Sequence, residues 1–85
     1  MKLIFCPQCR DIVKLKIRQH RICWCGASGG EYIDSLNVVI DGDAIPLGFN
    51  NRSFDKALAS QPEKGEGKKF NAFVIPKDCP TVSRK

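Results

Sequence analysis

Four cysteines fall in two close pairs near the start of the chain. Cys6-Pro7-Gln8-Cys9 and Cys23-Trp24-Cys25 stand thirteen residues apart. Zinc takes four tetrahedral ligands, with thiolate sulfurs about 2.3 Å from the metal. A Cys-x2-Cys turn supplies one edge of that tetrahedron, and a chain that doubles back supplies the other. Four thiolates leave no open coordination position, so the expected ion is structural, not catalytic. Iron also accepts four thiolates. The second pair has one spacer residue in place of two, which keeps His20 and Cys79 open as alternative donors. Gly26 follows the second pair, where a missing Cβ lets backbone amides turn toward sulfur. Arg10 occupies the matching place after the first pair.

Other cysteine chemistry fits less well. Five cysteines are an odd number, which argues against a closed disulfide set. A redox Cys-x-x-Cys opens a helix inside a βαβ unit, whereas a strand pattern follows Cys9. Residues 1–5 stop too soon for an export segment, and no run approaches the roughly 20 apolar residues of a membrane helix. We therefore expect a cytoplasmic protein with reduced thiols and no membrane partner.

The elements that must position the cysteines are short strands. Lys2-Leu3-Ile4-Phe5 leads into Cys6. Between the pairs, Val13, Leu15 and Ile17 alternate with Lys14, Lys16 and Arg18, the period of a half-buried strand. A turn at Gln19-His20 and a return through Arg21-Ile22 predict one hairpin with cysteines at its base. Gly26 to Gly30 reads as a loop, and Glu31 to Asp34 as a third strand. Asn37 to Ile40, with Asp41-Gly42 behind it, predicts a hairpin to Ala44–Leu47. Pro46 cannot donate to a ladder, so that partner strand is expected to be short or to lie at an edge. A helix is expected over 53–61, capped by Asn51 or Ser53, with Phe54, Ala57 and Leu58 on one face and Pro62 as its stop. Phe70 to Ile75 reads as the last strand, and 81–85 as a loose tail.

The whole is expected to be one α+β domain spanning 1–85. A ribbon of 2–34 packs with strands and helix in 35–80, which form a second small antiparallel sheet. Ile4, Val13, Leu15, Ile17, Val39, Phe54, Leu58, Phe73 and Ile75 are the core candidates, with Phe70 beside them. A chain of 85 residues builds a marginal core, for which a metal is a common staple.

Cys6-Pro7-Gln8-Cys9 with Cys23-Trp24-Cys25-Gly26 resembles a zinc ribbon over residues 2–34, which implies metal binding but no one function. The whole chain resembles a group of short, uncharacterised zinc-ribbon proteins of bacteria and their phages. The stretches that carry this likeness are Ala44-Ile45-Pro46-Leu47-Gly48-Phe49-Asn50-Asn51, Ser53-Phe54, Gln61-Pro62-Glu63, Phe73-Val74-Ile75-Pro76-Lys77 and Cys79-Pro80. It implies a shared fold and brings no activity.

The formal charge is +5, unevenly spread. Residues 1–30 carry six basic residues and one acid, 31–63 two and six, and 64–85 six and two. Lys14, Lys16 and Arg18, with Arg21 or His20 nearby, could meet phosphates from a strand face. Aromatic stacking partners are missing around them, and a solvated strand face is the plainer reading. Trp24, between two cysteines, could shield the metal or stand exposed as an anchor for a partner, and shielding is the plainer reading. Gly48, Asn50, Asn51, Arg52 and Ser53 precede the helix, where an anionic ligand could sit, although a self-capping loop explains the same residues. No carboxylate pair, P-loop or nucleophile elbow is present. The expectation is a non-catalytic protein with one structural Zn²⁺. Its partner is another protein, with nucleic acid or a small anion as alternatives.

Overall fold

The computed structural model describes residues 1–85. In chain order the elements are β1 (Lys2–Phe5), β2 (Ile12–Lys14), β3 (Arg21–Ile22), β4 (Ser28–Tyr32), β5 (Val38–Gly42), β6 (Ile45–Phe49), α1 (Asn51–Ala59), β7 (Ala72–Val74) and β8 (Val82–Arg84). They form two four-stranded sheets, ordered β2-β1-β6-β7 and β3-β4-β5-β8. The first is antiparallel, and the second is mixed because β8 runs parallel to β5. This is the strand-rich α+β class that the patterns predict.

The single hairpin expected between the cysteine pairs is replaced by two. β2 pairs with β1, and β3 pairs with β4. The alternation holds for Val13 and Leu15, which are buried, but Ile17 is 57 % exposed. The reason is a turn two residues earlier than predicted. Lys16 bridges Gln19, and Arg18 between them takes φ 53°. The chain there leaves the first sheet for the second.

Asp41-Gly42 also acts differently from its hairpin signal. β5 lies in the second sheet and β6 in the first, so this turn is a crossover. Asp43 N donates to Ala27 O at 2.9 Å, and Gly42 takes φ 64° against Ala27. Pro46 lies in an interior strand, opposite Ile4. Its carbonyl accepts from Ile75 N at 2.9 Å, so its missing N–H also faces the β7 side, just where that ladder ends at Val74. Proline cannot return the bond to Ile75, and the ladder stops at that point.

Gly29 and Gly30 belong to a strand and not to a loop. Glycine is needed because neighbours come close: a Cβ on Gly29 would meet the His20 ring at 2.8 Å, and one on Gly30 would meet Val39 O at 3.0 Å. The helix starts two residues before the predicted position. Asn50 is its cap and accepts from Ser53 N at 2.9 Å. Of its expected apolar face, Ala57 is buried, Phe54 is half-buried and Leu58 is 58 % exposed.

Only 16 of 85 residues are buried, so little apolar burial holds the sheets together. Ile4, Val13 and Leu15 meet Val38 and Ile40 across the layer, with Cys6 and Cys23 in the same cluster. Val39 points the other way and is half-buried, and Phe73 is exposed. A separate aromatic group, Phe49, Phe54 and Phe70, has ring centroids 4.8–5.3 Å apart.

The 81–85 segment is not loose. Val82 N bonds Cys79 O, Lys85 N bonds Ile40 O at 2.9 Å, and the Arg84 guanidinium donates to Gly42 O at 2.9 Å and Ala44 O at 2.7 Å. Arg84 thus ties the chain end to the crossover. Arg84→Ala is expected to cost about 2 kcal/mol, the scale of hydrogen bonds from a charged donor. Urea unfolding measures this, and an unchanged midpoint would mean that the segment carries no load.

Candidate metal centre

Each cysteine pair sits at the tip of its own hairpin. Cys6 N bonds Asp11 O at 2.9 Å and Cys23 N bonds Ser28 O at 2.9 Å, which close the two hairpins. Inside them, Arg10 N donates to Cys6 O at 2.7 Å and Gly26 N to Cys23 O at 3.1 Å. The residue after each pair has left-handed backbone, Arg10 at φ 64° and Gly26 at φ 84°. Arg10 therefore adopts the conformation that glycine adopts in the second turn. Its guanidinium lies over the Phe5 ring, 5.3 Å from the centroid, a cation–π contact that helps offset the backbone cost.

All four sulfurs lie within 4.8 Å of one another. Cys25 Sγ is 3.7 Å from both Cys6 Sγ and Cys23 Sγ. A tetrahedron with bonds of about 2.3 Å has sulfurs about 3.8 Å apart, so these edges fit a metal ion. They are far beyond the roughly 2.05 Å of a disulfide, and all five cysteines are free. Cys6 and Cys23 are buried, Cys9 half-buried and Cys25 exposed. The alternative donors lie elsewhere. His20 Nε2 is 2.7 Å from Asp41 Oδ2, and Cys79 Sγ pairs with Thr81 Oγ1 at 3.4 Å.

The surroundings favour thiolate. Ser28 N donates to Cys23 Sγ at 3.3 Å. Ser28 Oγ is buried with no partner of regular hydrogen-bond geometry, yet its dipole bears on Cys6. That hydroxyl leads the influences that bring the Cys6 thiol down to about 6, against burial and with the Cys9 and Gln8 amides. Burial pushes Cys23 up, but the Ser28 amide and the Cys25 and Cys9 sulfurs leave it below the ordinary thiol range. The Ala27 amide pulls Cys25 down, while burial and the other three sulfurs push it up to about 12. Without a metal, the cluster thus sheds its first proton easily and holds its last one hard.

A divalent ion reverses that last step, because a coordinating thiol is deprotonated outright. Metal loading at neutral pH is therefore expected to release protons, Cys25's among them, and loading affinity to rise with pH. An indicator dye in weakly buffered solution reads the release. Loading with no proton release would contradict a four-thiolate site.

The other sequence candidates are dispersed or already engaged. Lys14 ends β2, and Lys16 and Arg18 belong to the turn beyond it, so the three share no continuous strand face. Arg21 reaches back to Lys14 O at 3.1 Å. Gly48 is buried in β6 beneath the Phe73 ring. Asn50 caps the helix, Asn51 Oδ1 accepts from the N-terminal ammonium at 2.7 Å, and Ser53 Oγ accepts from Asn71 N at 2.8 Å. Arg52 alone of that group remains exposed without a partner.

Trp24, read as a shield, is 86 % exposed at the tip of the second turn. Its amide donates to Asp11 Oδ2 at 2.9 Å, which joins the two cysteine turns. Ile12, on the strand that leaves the first turn, and Ile22, on the strand that enters the second, are exposed as well. No sequence period marks this group, because it gathers residues from two sheets. No helix is long and apolar enough to cross a membrane. Comparison with protein-family models, with curated proteins and with solved structures found no match.

Proposed function

We propose that this chain is a non-catalytic binding module of zinc-ribbon type, fixed by one structural zinc ion on Cys6, Cys9, Cys23 and Cys25. The observation that carries this reading is the closure of four sulfurs within 4.8 Å. Zinc is the ion of choice because four thiolates from two hairpin turns match its structural sites. With four sulfurs bound, the ion has no position for substrate or water, so its role is to hold the two hairpins together.

The two cysteine turns and their strands expose Trp24, Ile12 and Ile22 beside the polar Gln8 and Arg10. A tryptophan 86 % exposed, flanked by two exposed isoleucines, resembles the anchors of protein interfaces, where aromatic residues dominate the binding energy. The partner in this reading is another protein. The dispersal of Lys14, Lys16 and Arg18 gives nucleic acid less support.

Trp24 is the chain's only tryptophan, so its fluorescence reports this surface directly. Emission of the free protein should be that of a solvated indole, open to quenching by iodide. Partner binding should shift it to the blue and protect it. Trp24→Ala should abolish binding, while Lys14→Glu with Arg21→Glu should spare it. The reverse pattern, with binding lost in the charge variant and steeply salt-dependent, would replace the protein partner with nucleic acid.

A further inference from the structure

Two adjoining hollows flank α1, and they differ in chemistry. The first, about 400 Å³, is lined by Arg52, Lys56, Lys68 and Lys69, with Asn50 and Asn71 at its margin and no acid. None of these four cations forms an ion pair; the one in the molecule joins His20 and Asp41. The second, about 420 Å³, is lined by Phe54, Leu58, Pro62 and Phe70, with Gln61 and Lys64 at the same wall. Ala57 and Lys68 line both hollows, so they share a wall.

Four like charges around one concavity repel each other, and a bound anion relieves that repulsion. Arginine and lysine are the usual partners of phosphate. The neighbouring hollow offers two aromatic rings 4.8 Å apart and a leucine that is 58 % exposed, a setting for a flat apolar ring. Aromatic side chains bind nucleobases by stacking. We infer that the paired hollows form a nucleotide site, with the phosphates among Arg52, Lys56, Lys68 and Lys69 and the base against Phe54, Leu58 and Phe70.

The ligand is a single nucleotide and not a polymer. The two hollows, about 420 and 400 Å³, are of a size for one base and its phosphates. The site is independent of the metal centre. Met1 meets the start of α1, while Cys6 follows the other end of β1, so the two stand about 16 Å apart by strand rise. The anion site that the sequence places at residues 48–53 moves accordingly, keeping Arg52 and losing Gly48.

Calorimetric titration of the metal-loaded full chain with ATP, adenosine and inorganic pyrophosphate tests this assignment. ATP should bind about tenfold or more tighter than either fragment, since both halves contribute. Arg52→Glu with Lys68→Glu should weaken ATP about tenfold or more. Leu58→Gln should weaken ATP and leave pyrophosphate unchanged. All three positions are exposed, and an unchanged circular dichroism spectrum and urea midpoint confirm the fold of each variant. No ATP binding at about 1 mM, pyrophosphate as tight as ATP, or ATP unaffected by the charge reversals would each overturn the site. An oligonucleotide binding far more tightly per phosphate than ATP would also overturn it.

Discussion

Cys23→Ser is expected to leave the chain without zinc and without a stable native state. Serine nearly matches cysteine in size, so packing around the side chain changes little. What is lost is a buried thiolate that lies 3.7 Å from Cys25 Sγ and accepts the Ser28 amide. Structural zinc contributes on the order of 10 kcal/mol in small domains. The net stability of such a domain is about 5–15 kcal/mol, and with 16 buried residues this one has a small core. Removing the metal should therefore outweigh what apolar burial supplies. Elemental analysis should find no zinc in the variant, and its amide NMR spectrum should collapse to the dispersion of an unfolded chain. Cys79→Ser is the control. Cys79 lies outside the cluster, and its loss should shift stability by less than about 1 kcal/mol. A Cys23→Ser protein that melts like the wild type would show that the sulfurs do not carry the fold.

Gly42→Ala should be the most damaging substitution away from the sulfurs, at about 3 kcal/mol or more. Two penalties coincide. The residue has φ 64°, a left-handed conformation that costs a side-chain-bearing residue about 1–2 kcal/mol. The added methyl would also run into the Ala27 carbonyl oxygen, which already accepts the Asp43 amide at 2.9 Å. Both obstacles are backbone, so neither can rotate aside. Gly65 gives the comparison, with φ 90° and nothing within 4 Å of where an added methyl would sit. Its alanine variant bears the conformational penalty alone, about 1 kcal/mol. Urea midpoints for the two variants should differ clearly. Equal midpoints would mean that the crossover at Ala27 yields without cost.

Local features of this fold are readable from sequence, and pairings are not. The cysteine spacing locates the cluster because each pair lies within one turn of its own chain. Val13 and Leu15 announce a buried face because alternation is also local. Asp41-Gly42 correctly marks a special backbone, yet it cannot tell a hairpin from a crossover, since that depends on Ala27. β2 and β3 look like one hairpin because they are adjacent in sequence, whereas β1 and β4 supply better partners on either side. Gly29 and Gly30 read as a loop by composition, and only the approach of His20 and Val39 makes glycine a requirement of the strand. The final strand is invisible for a similar reason. Three residues carry no period, and what holds them is distant in sequence: the parallel ladder with β5 and Arg84 reaching Gly42 and Ala44. Trp24 shows the same limit at the site. Its position between two cysteines leaves a shield and an exposed anchor both open, and only the hairpin tip, with the side chain 86 % exposed, decides for the anchor.

X-ray absorption at the zinc edge of the purified protein tests the central claim most directly. The expected result is one zinc per chain with a single shell of four sulfurs at about 2.3 Å. A shell containing nitrogen or oxygen would remove one of Cys6, Cys9, Cys23 and Cys25 from the ligand set. A folded, reduced protein that binds no metal would contradict the account.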